Sequence, residues 1–206
     1  MQRTFDSGAA KAIADAVRDV ESRSAAEVVV EIRTRSGSYA IADARFAALL
    51  AILSLVVLVF MPFTVLPSVV ILDPIAVYLA GIAVARRSAA LRRLFSTRAE
   101  QLEAVRVHAA AKFHERGVAN TSAETGVLLY ASLLERRIEV LADRGLLQRL
   151  VPHEWNALLD DIRTERATDP DVIVTSIRSL AAILGRDVPR GEDDVNELPD
   201  MPEIGA

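Results

Sequence analysis

Eighteen consecutive residues, FAALLAILSLVVLVFMPF from Phe46 to Phe63, carry no charge. The run continues to Leu66 with Ser54, Pro62 and Thr64 as its only interruptions. A helix of about 20 residues rises roughly 30 Å, the thickness of a bilayer's hydrocarbon. A helix in a water-soluble protein keeps a polar face, and Phe46 to Phe60 has none. A second run, SVVILDPIAVYLAGIAVA from Ser68 to Ala85, holds a single charge, Asp73. Pro62 and Pro67 fall between the runs, where a tight turn suits them. Together they predict a transmembrane helical hairpin. Its competitors are a buried hairpin in a soluble core and, for the second segment, an interfacial or partly inserted helix. Asp73 is expected near the turn, at headgroup level, with Pro74 in the first turn of the second helix.

Flanking cations orient the hairpin. Arg33, Arg35 and Arg45 precede it, and Arg86, Arg87, Arg92, Arg93 and Arg98 follow it, while the turn has no Lys or Arg. The expectation is a multi-pass protein of a bacterial inner membrane with both termini cytoplasmic. A mean hydropathy of +0.27 beside 25% charged residues fits such a chain of contrasting blocks. The net charge of −4 and the lack of a basic, aromatic-interleaved stripe argue against a nucleic-acid partner. The absence of cysteine excludes disulfides, thiolate metal sites and cysteine nucleophiles. The N-terminus is charged throughout and does not read as a signal peptide.

Soluble patterning flanks the hairpin on both sides. Asp6 or Ser7 caps a predicted helix whose apolar face is Ile13, Val17 and Val20. EVVVEIRT then alternates as a strand with at least one buried face, although Val29 breaks the pattern. Downstream, Thr97 to Glu100 form a capping box. The helix it opens buries Leu102, Val105, Ala109 and Phe113 and stops at Gly117. GVLLYASL reads as a central strand covered on both faces. The RIEVLAD segment follows so closely, after Glu135 and Arg136, that a hairpin is implied. Pro152 opens a helix with Trp155, Leu158, Leu159 and Ile162 inward. Asp169 and Pro170 open another, with Ile173, Ile177, Leu180, Ala181 and Leu184 at core spacing. One strand before the membrane block cannot form a domain alone. The two flanks must therefore share one sheet, with the hairpin inserted in the crossover between parallel strands.

Several of these words carry a resemblance. VESRSAAEVVVEI resembles the opening of TPM domains. FHERGVANTSAETGVLLYASLLERRIEVLADRGL resembles that family's central block, with Phe113, Gly117, Thr121, the Gly126–Leu129 strand, Glu135-Arg136, and Asp143 before Gly145. Trp155 and NELP, Asn196 to Pro199, resemble a bacterial membrane-bound subgroup. The similarity covers about residues 8–35 and 96–199. It implies an α/β fold with a TPM-like small sheet and helices on both faces, here interrupted by the two-helix transmembrane hairpin. The first helix and strand fall in 1–45, the hairpin in 46–85, the remainder of the domain in 86–185, and an acidic, proline-containing, loosely held tail in 186–206. The resemblance also implies a broad functional field. Some members are acid phosphatases or act in photosystem repair, and others modulate a membrane receptor. Many soluble relatives have Asp-Asn before the Gly of the central strand, where this chain has Glu124 and Thr125.

Glu124, Glu135 and Asp143 stand at the ends of the two central strands and are the candidate catalytic carboxylates. Glu124 and Asp143 are also the candidate metal ligands, through oxygens suited to Ca²⁺ or Mg²⁺. Their plainer roles are turn and capping chemistry, with Asp143 capping into the Arg144-Gly145 turn. Glu27, at a strand start, is a further candidate whose ordinary role is a solvated or Arg-paired side chain. His108 and His114 are six residues apart on a helix and do not share a face, and His153 lacks the second histidine of a zincin. Asp169 to Ile173 opens an amphipathic helix, which removes it from aspartyl-phosphate chemistry. No Walker A loop, nucleophile elbow or dinucleotide fingerprint is present. The expected function is a membrane-anchored interaction or accessory module. Its partners would be the lipid bilayer and another membrane protein or complex. The alternative is a weak metal-dependent acid-phosphatase-type hydrolase.

Overall fold

The computed structural model describes residues 5–62, 64–164, 167, 169–191 and 196–205. The chain forms two compact units, one from residues up to Ser36 and from Glu103 onward, the other from Gly37 to Leu102.

The first unit is a mixed α/β domain on a four-stranded sheet of order β3-β2-β1-β4. β1 (Glu27–Arg33) and β2 (Gly126–Ser132) are parallel, with Val28 beside Val127 and Glu31 beside Tyr130. β3 (Arg137–Ala142) returns antiparallel to β2, so the Glu135-Arg136 junction is the hairpin that its length required. Arg136 sits there at φ 55°. On one face, Val28, Val30, Ile32, Val127, Leu129, Ile138 and Val140 pack with α1 (Ser7–Glu21) and the C-terminal helices. On the other, Val29, Leu128 and Tyr130 meet Val105, Ala109 and Phe113 of the helix Arg98–Glu115. Val29, which broke the sequence alternation, is thus the apolar residue of the second face.

Local signals are satisfied as physics requires. Asp6 Oδ1 accepts Ala9 N at 2.9 Å and caps α1. Thr97 and Glu100 make the reciprocal capping box, with Thr97 N to Glu100 Oε2 at 2.8 Å and Glu100 N to Thr97 Oγ1 at 3.2 Å.

The second unit holds α2 (Ala40–Phe60) and α3 (Pro67–Arg87), both long and apolar enough to cross a membrane. They pack closely where Gly81 lies on Ala47: a Cβ on Gly81 would come within 2.9 Å of Ala47 Cα. Small residues permit this approach, which drives helix association in lipid. The outward side chains are apolar and exposed, among them Ile52, Val59, Phe60, Ile71 and Leu72. α2 begins six residues before the uncharged run. Its first turns are held by Asp43, which accepts two hydrogen bonds from Arg92 at 3.0 Å each. Arg92 lies on α4 (Ala89–Phe95), a short helix not foreseen from the sequence. Arg45 is paired in bidentate fashion with Glu100, and this holds the Glu100 carboxyl down to about 2, with the Thr97 amide adding to the effect.

Two expectations fail here. Pro74 is not in the first turn of α3 but inside it, the helix starting at Pro67. Asp73 accordingly stands six residues into the helix instead of at the turn, and Ser54 of α2 donates to its carboxylate.

The remaining helices are α5 (Arg98–Glu115), α6 (Arg144–Leu147), α7 (Pro152–Thr164) and α8 (Pro170–Asp187). α5 is the helix of the second sheet face, and Gly117 at φ 69° follows its end. Trp155 is buried in the α1-side core. The loosely held tail is also corrected. Glu203–Gly205 forms β4, parallel to β1, and Ser24 bridges Pro189. Without β4 the C-terminal part of β1 would be a sheet edge, and the nearby acidic segment pairs with it over Glu31–Arg33.

Candidate functional site

Alternation places Glu31, Arg33, Tyr130 and Ser132 on the α5 face of the sheet, toward the C-terminal ends of its parallel strands. Sites gather at that end in open α/β sheets. Here it carries a buried polar network. Ser36 Oγ lies 2.8 Å from Tyr130 Oη and donates to Ser132 Oγ at 2.7 Å. Glu135 accepts Ser36 N at 3.0 Å through Oε1, and Ser132 Oγ through Oε2. Ser36 is 1% exposed, Ser132 and Tyr130 0%, and Glu135 4%. Burial pushes the Tyr130 hydroxyl up, the Glu135 charge adding to it and the Ser36 bond opposing it.

Beside this network, Glu31 is fully buried and held by two arginines. Arg33 Nε donates to its Oε1 at 2.6 Å, and Arg116 Nε and Nη2 to its Oε2 at 3.0 and 2.9 Å. Both arginines also reach Glu203 of β4. The register sets Glu203, Glu31, Tyr130 and Glu139 in one row across the sheet. Adjacent carboxylates repel in such a row. Arg33 and Arg116 offset this between Glu31 and Glu203, while Glu139, beyond Tyr130 in the row, is held by Arg163, 2.7 Å from its Oε1.

The opposite end of the parallel pair is acidic. Glu21 Oε1 accepts Val28 N at 3.0 Å, and Asn196 Nδ2 reaches its Oε2 at 3.4 Å. Burial pushes the Glu21 carboxyl up to about 8, the Val28 bond opposing and the Glu27 and Asp200 charges adding. Glu27 is not solvated: it is 5% exposed, and its Oε2 accepts Leu198 N at 3.1 Å. Glu197 accepts Ser122 N at 3.1 Å. The Asn196–Leu198 segment is therefore a strap across the starts of β1 and β2.

Of the sequence candidates, Glu124 and Asp143 come to this same end and Glu135 does not. β2 alone, seven residues at about 3.3 Å each, puts roughly 20 Å between its ends. The three carboxylates thus do not form one constellation. Glu124 is exposed at φ 53°, its carbonyl accepting Leu146 N at 2.8 Å. A Cβ on Gly145 would come within 2.5 Å of Glu124 Cβ, so that turn needs glycine. Asp143 caps α6 through Oδ1, 2.6 Å from Arg144 N, while its Oδ2 is buried without a hydrogen-bond partner among the described residues. No group of three or more His, Asp or Glu converges as a metal-ligand set among those residues. His108, His114 and His153 are exposed on helices.

Sequence reasoning missed Ser36, Tyr130, Ser132, Arg116 and Glu203 as a group. Alternation in EVVVEIRT already put Glu31 and Arg33 on one face. What joins the others to them is the β1–β2 register, which no local pattern encodes.

No protein-family model matches the chain, and no curated protein sequence matches it. A solved structure does: the NMR structure of BA42 protein from the psychrophilic bacteria Bizionia argentinensis sp. nov.. The chains are 17% identical, the match covers 97% of this chain and 94% of that one, and the TM-score is 0.58. At that identity the likeness is one of fold, and it supports the mixed α/β arrangement with a small sheet.

Proposed function

We propose that this chain is a membrane-anchored TPM-type domain that serves as an interaction or accessory module for a membrane protein or complex. The observation that carries the reading is the apolar helix pair itself. α2 and α3 leave large side chains such as Ile52, Ile71 and Leu72 more than 60% exposed, which lipid or a membrane partner would cover. The TPM assignment draws support from the structural work done by the resembling positions. Gly117 ends a helix, Gly126–Leu129 is a central strand, Glu135 closes the polar network, and Asn196–Leu198 straps the sheet. The hydroxyls at the C-terminal strand ends are closed off from solvent, which suits an anchoring role over turnover. Ser36 is the last residue before the inserted unit, and its network ties that departure point to β2 and the β2–β3 turn.

On this reading the flanking arginines keep both termini in the cytoplasm, and the connection between α2 and α3 lies on the far side of the inner membrane. Carbonate extraction should leave the protein in the membrane pellet. A β-lactamase fused within the turn should be active, and one fused at the C-terminus inactive. The reverse pattern would overturn the orientation, and release by carbonate would overturn the anchor.

A second reading rests on one observation, the Asp143 Oδ2 that has no hydrogen-bond partner among the described residues. A weak metal-dependent phosphatase would use Asp143 with Glu124 around Mg²⁺ or Ca²⁺. It requires phosphate-ester hydrolysis by the detergent-solubilised protein that depends on added metal and is lost in Asp143→Asn with the fold intact. A melting temperature unmoved by either metal would count against it.

A further inference from the structure

We infer that Asp73 and Ser54 form the recognition point for a transmembrane helix of another protein that carries a lysine or arginine. This rests on the membrane-anchored reading and gives the partner its chemistry. Asp73 lies six residues from the start of α3, and Ser54 six from the end of α2. At 1.5 Å per residue both sit about 9 Å along the helices from the turn. Their hydrogen bond joins them at that one level. Aspartate is too short to reach the interface from there. Pro74, next to it, has no N–H to give the carbonyl of Val70, so acceptor oxygens concentrate at this level. An ionisable side chain at membrane depth is costly unless it faces a partner.

The partner's sign follows from the chain's own sequence. Between Phe46 and Ala85 Asp73 is the only charged residue. A second copy of the hairpin therefore brings another carboxylate to this level and no cation. The Gly81–Ala47 contact is already used within the hairpin. The complement is a heterologous helix with a basic side chain about 9 Å below the far surface.

A photo-crosslinking residue at Val69, one turn from Asp73 and 41% exposed, tests this in native membranes. The expected result is one protein adduct whose crosslinked peptide is a membrane span containing Lys or Arg. Asp73→Leu should reduce the adduct at least tenfold. Asp73→Lys combined with the partner's basic residue changed to Asp should restore it. An adduct with a second copy of this chain, lipid adducts alone, or an adduct unchanged by Asp73→Leu would overturn the inference. Carbonate extraction of the same membranes separates the two levels. Protein retained without the expected adduct sinks this inference alone, and protein released sinks the membrane anchor as well.

Discussion

At the scale of single residues, the polar side chains buried in the sheet domain are mostly answered by hydrogen bonds or ion pairs, and Glu21 is one whose charge burial disfavours. Its carboxyl is raised from 4.5 to about 8. Between those values the folded protein holds a proton that the unfolded chain releases, so stability falls as pH rises through that window. The contribution is full below about pH 4.5 and lost above pH 8. Glu21→Gln keeps an acceptor for Val28 N and removes the ionisation. It should raise the melting temperature at pH 8, by an amount equivalent to at least ~1 kcal/mol, and give no gain at pH 4. A gain of equal size at both pH values would show that charge is not the cause. Glu21 illustrates what a single sequence hides. It ends α1, seven residues before the amide it binds, and only the close return of the chain into β1 and the arrival of Asn196 bury it.

At the scale of elements, the sequence was most informative where a signal is local. Asp6, the Thr97–Glu100 box, Gly117 and the Asp169-Pro170 pair cap or end helices as read, because each acts through the nearest turn of backbone. β4 was illegible for the opposite reason. EIG is short and has a single apolar side chain, and its strand character comes from the vacant edge of β1. That edge makes a prediction. Ile204 is 43% exposed, so β4 adds little apolar burial, and deleting 203–206 should lower the melting temperature only modestly. Its larger effect should be concentration-dependent association, measured by light scattering, as unpaired β1 groups seek another strand. A monodisperse truncated protein would show that β4 does not guard the edge. In the hairpin, Gly81→Leu should lower the melting temperature in detergent by the equivalent of about 1–3 kcal/mol through overpacking. Val84→Leu, at a position 51% exposed, should leave it unchanged. Equal effects would mean that the Gly81–Ala47 approach does not hold the pair together.

At the scale of the whole molecule, the insertion asks whether the sheet domain depends on what is inserted. The sheet's two cores draw on residues up to Ile32 and from Val105 onward, and the Ser36 network closes within the same unit. Replacing 38–96 with a flexible Gly/Ser linker retains that network and the Thr97–Glu100 box. The product should be soluble without detergent and unfold in one cooperative transition. Trp155, the single tryptophan, is 4% exposed in the α1-side core, so its emission should be blue-shifted in the native state and move red on melting. A soluble but non-cooperative product with red-shifted emission would show that the helices are part of the fold. In the truncated protein, Glu135→Ala leaves Ser36 N and Ser132 Oγ without their acceptor and should cost about 1–3 kcal/mol. The same loss in the full-length protein would show that this network stabilises the domain from within, wherever the chain goes after Ser36.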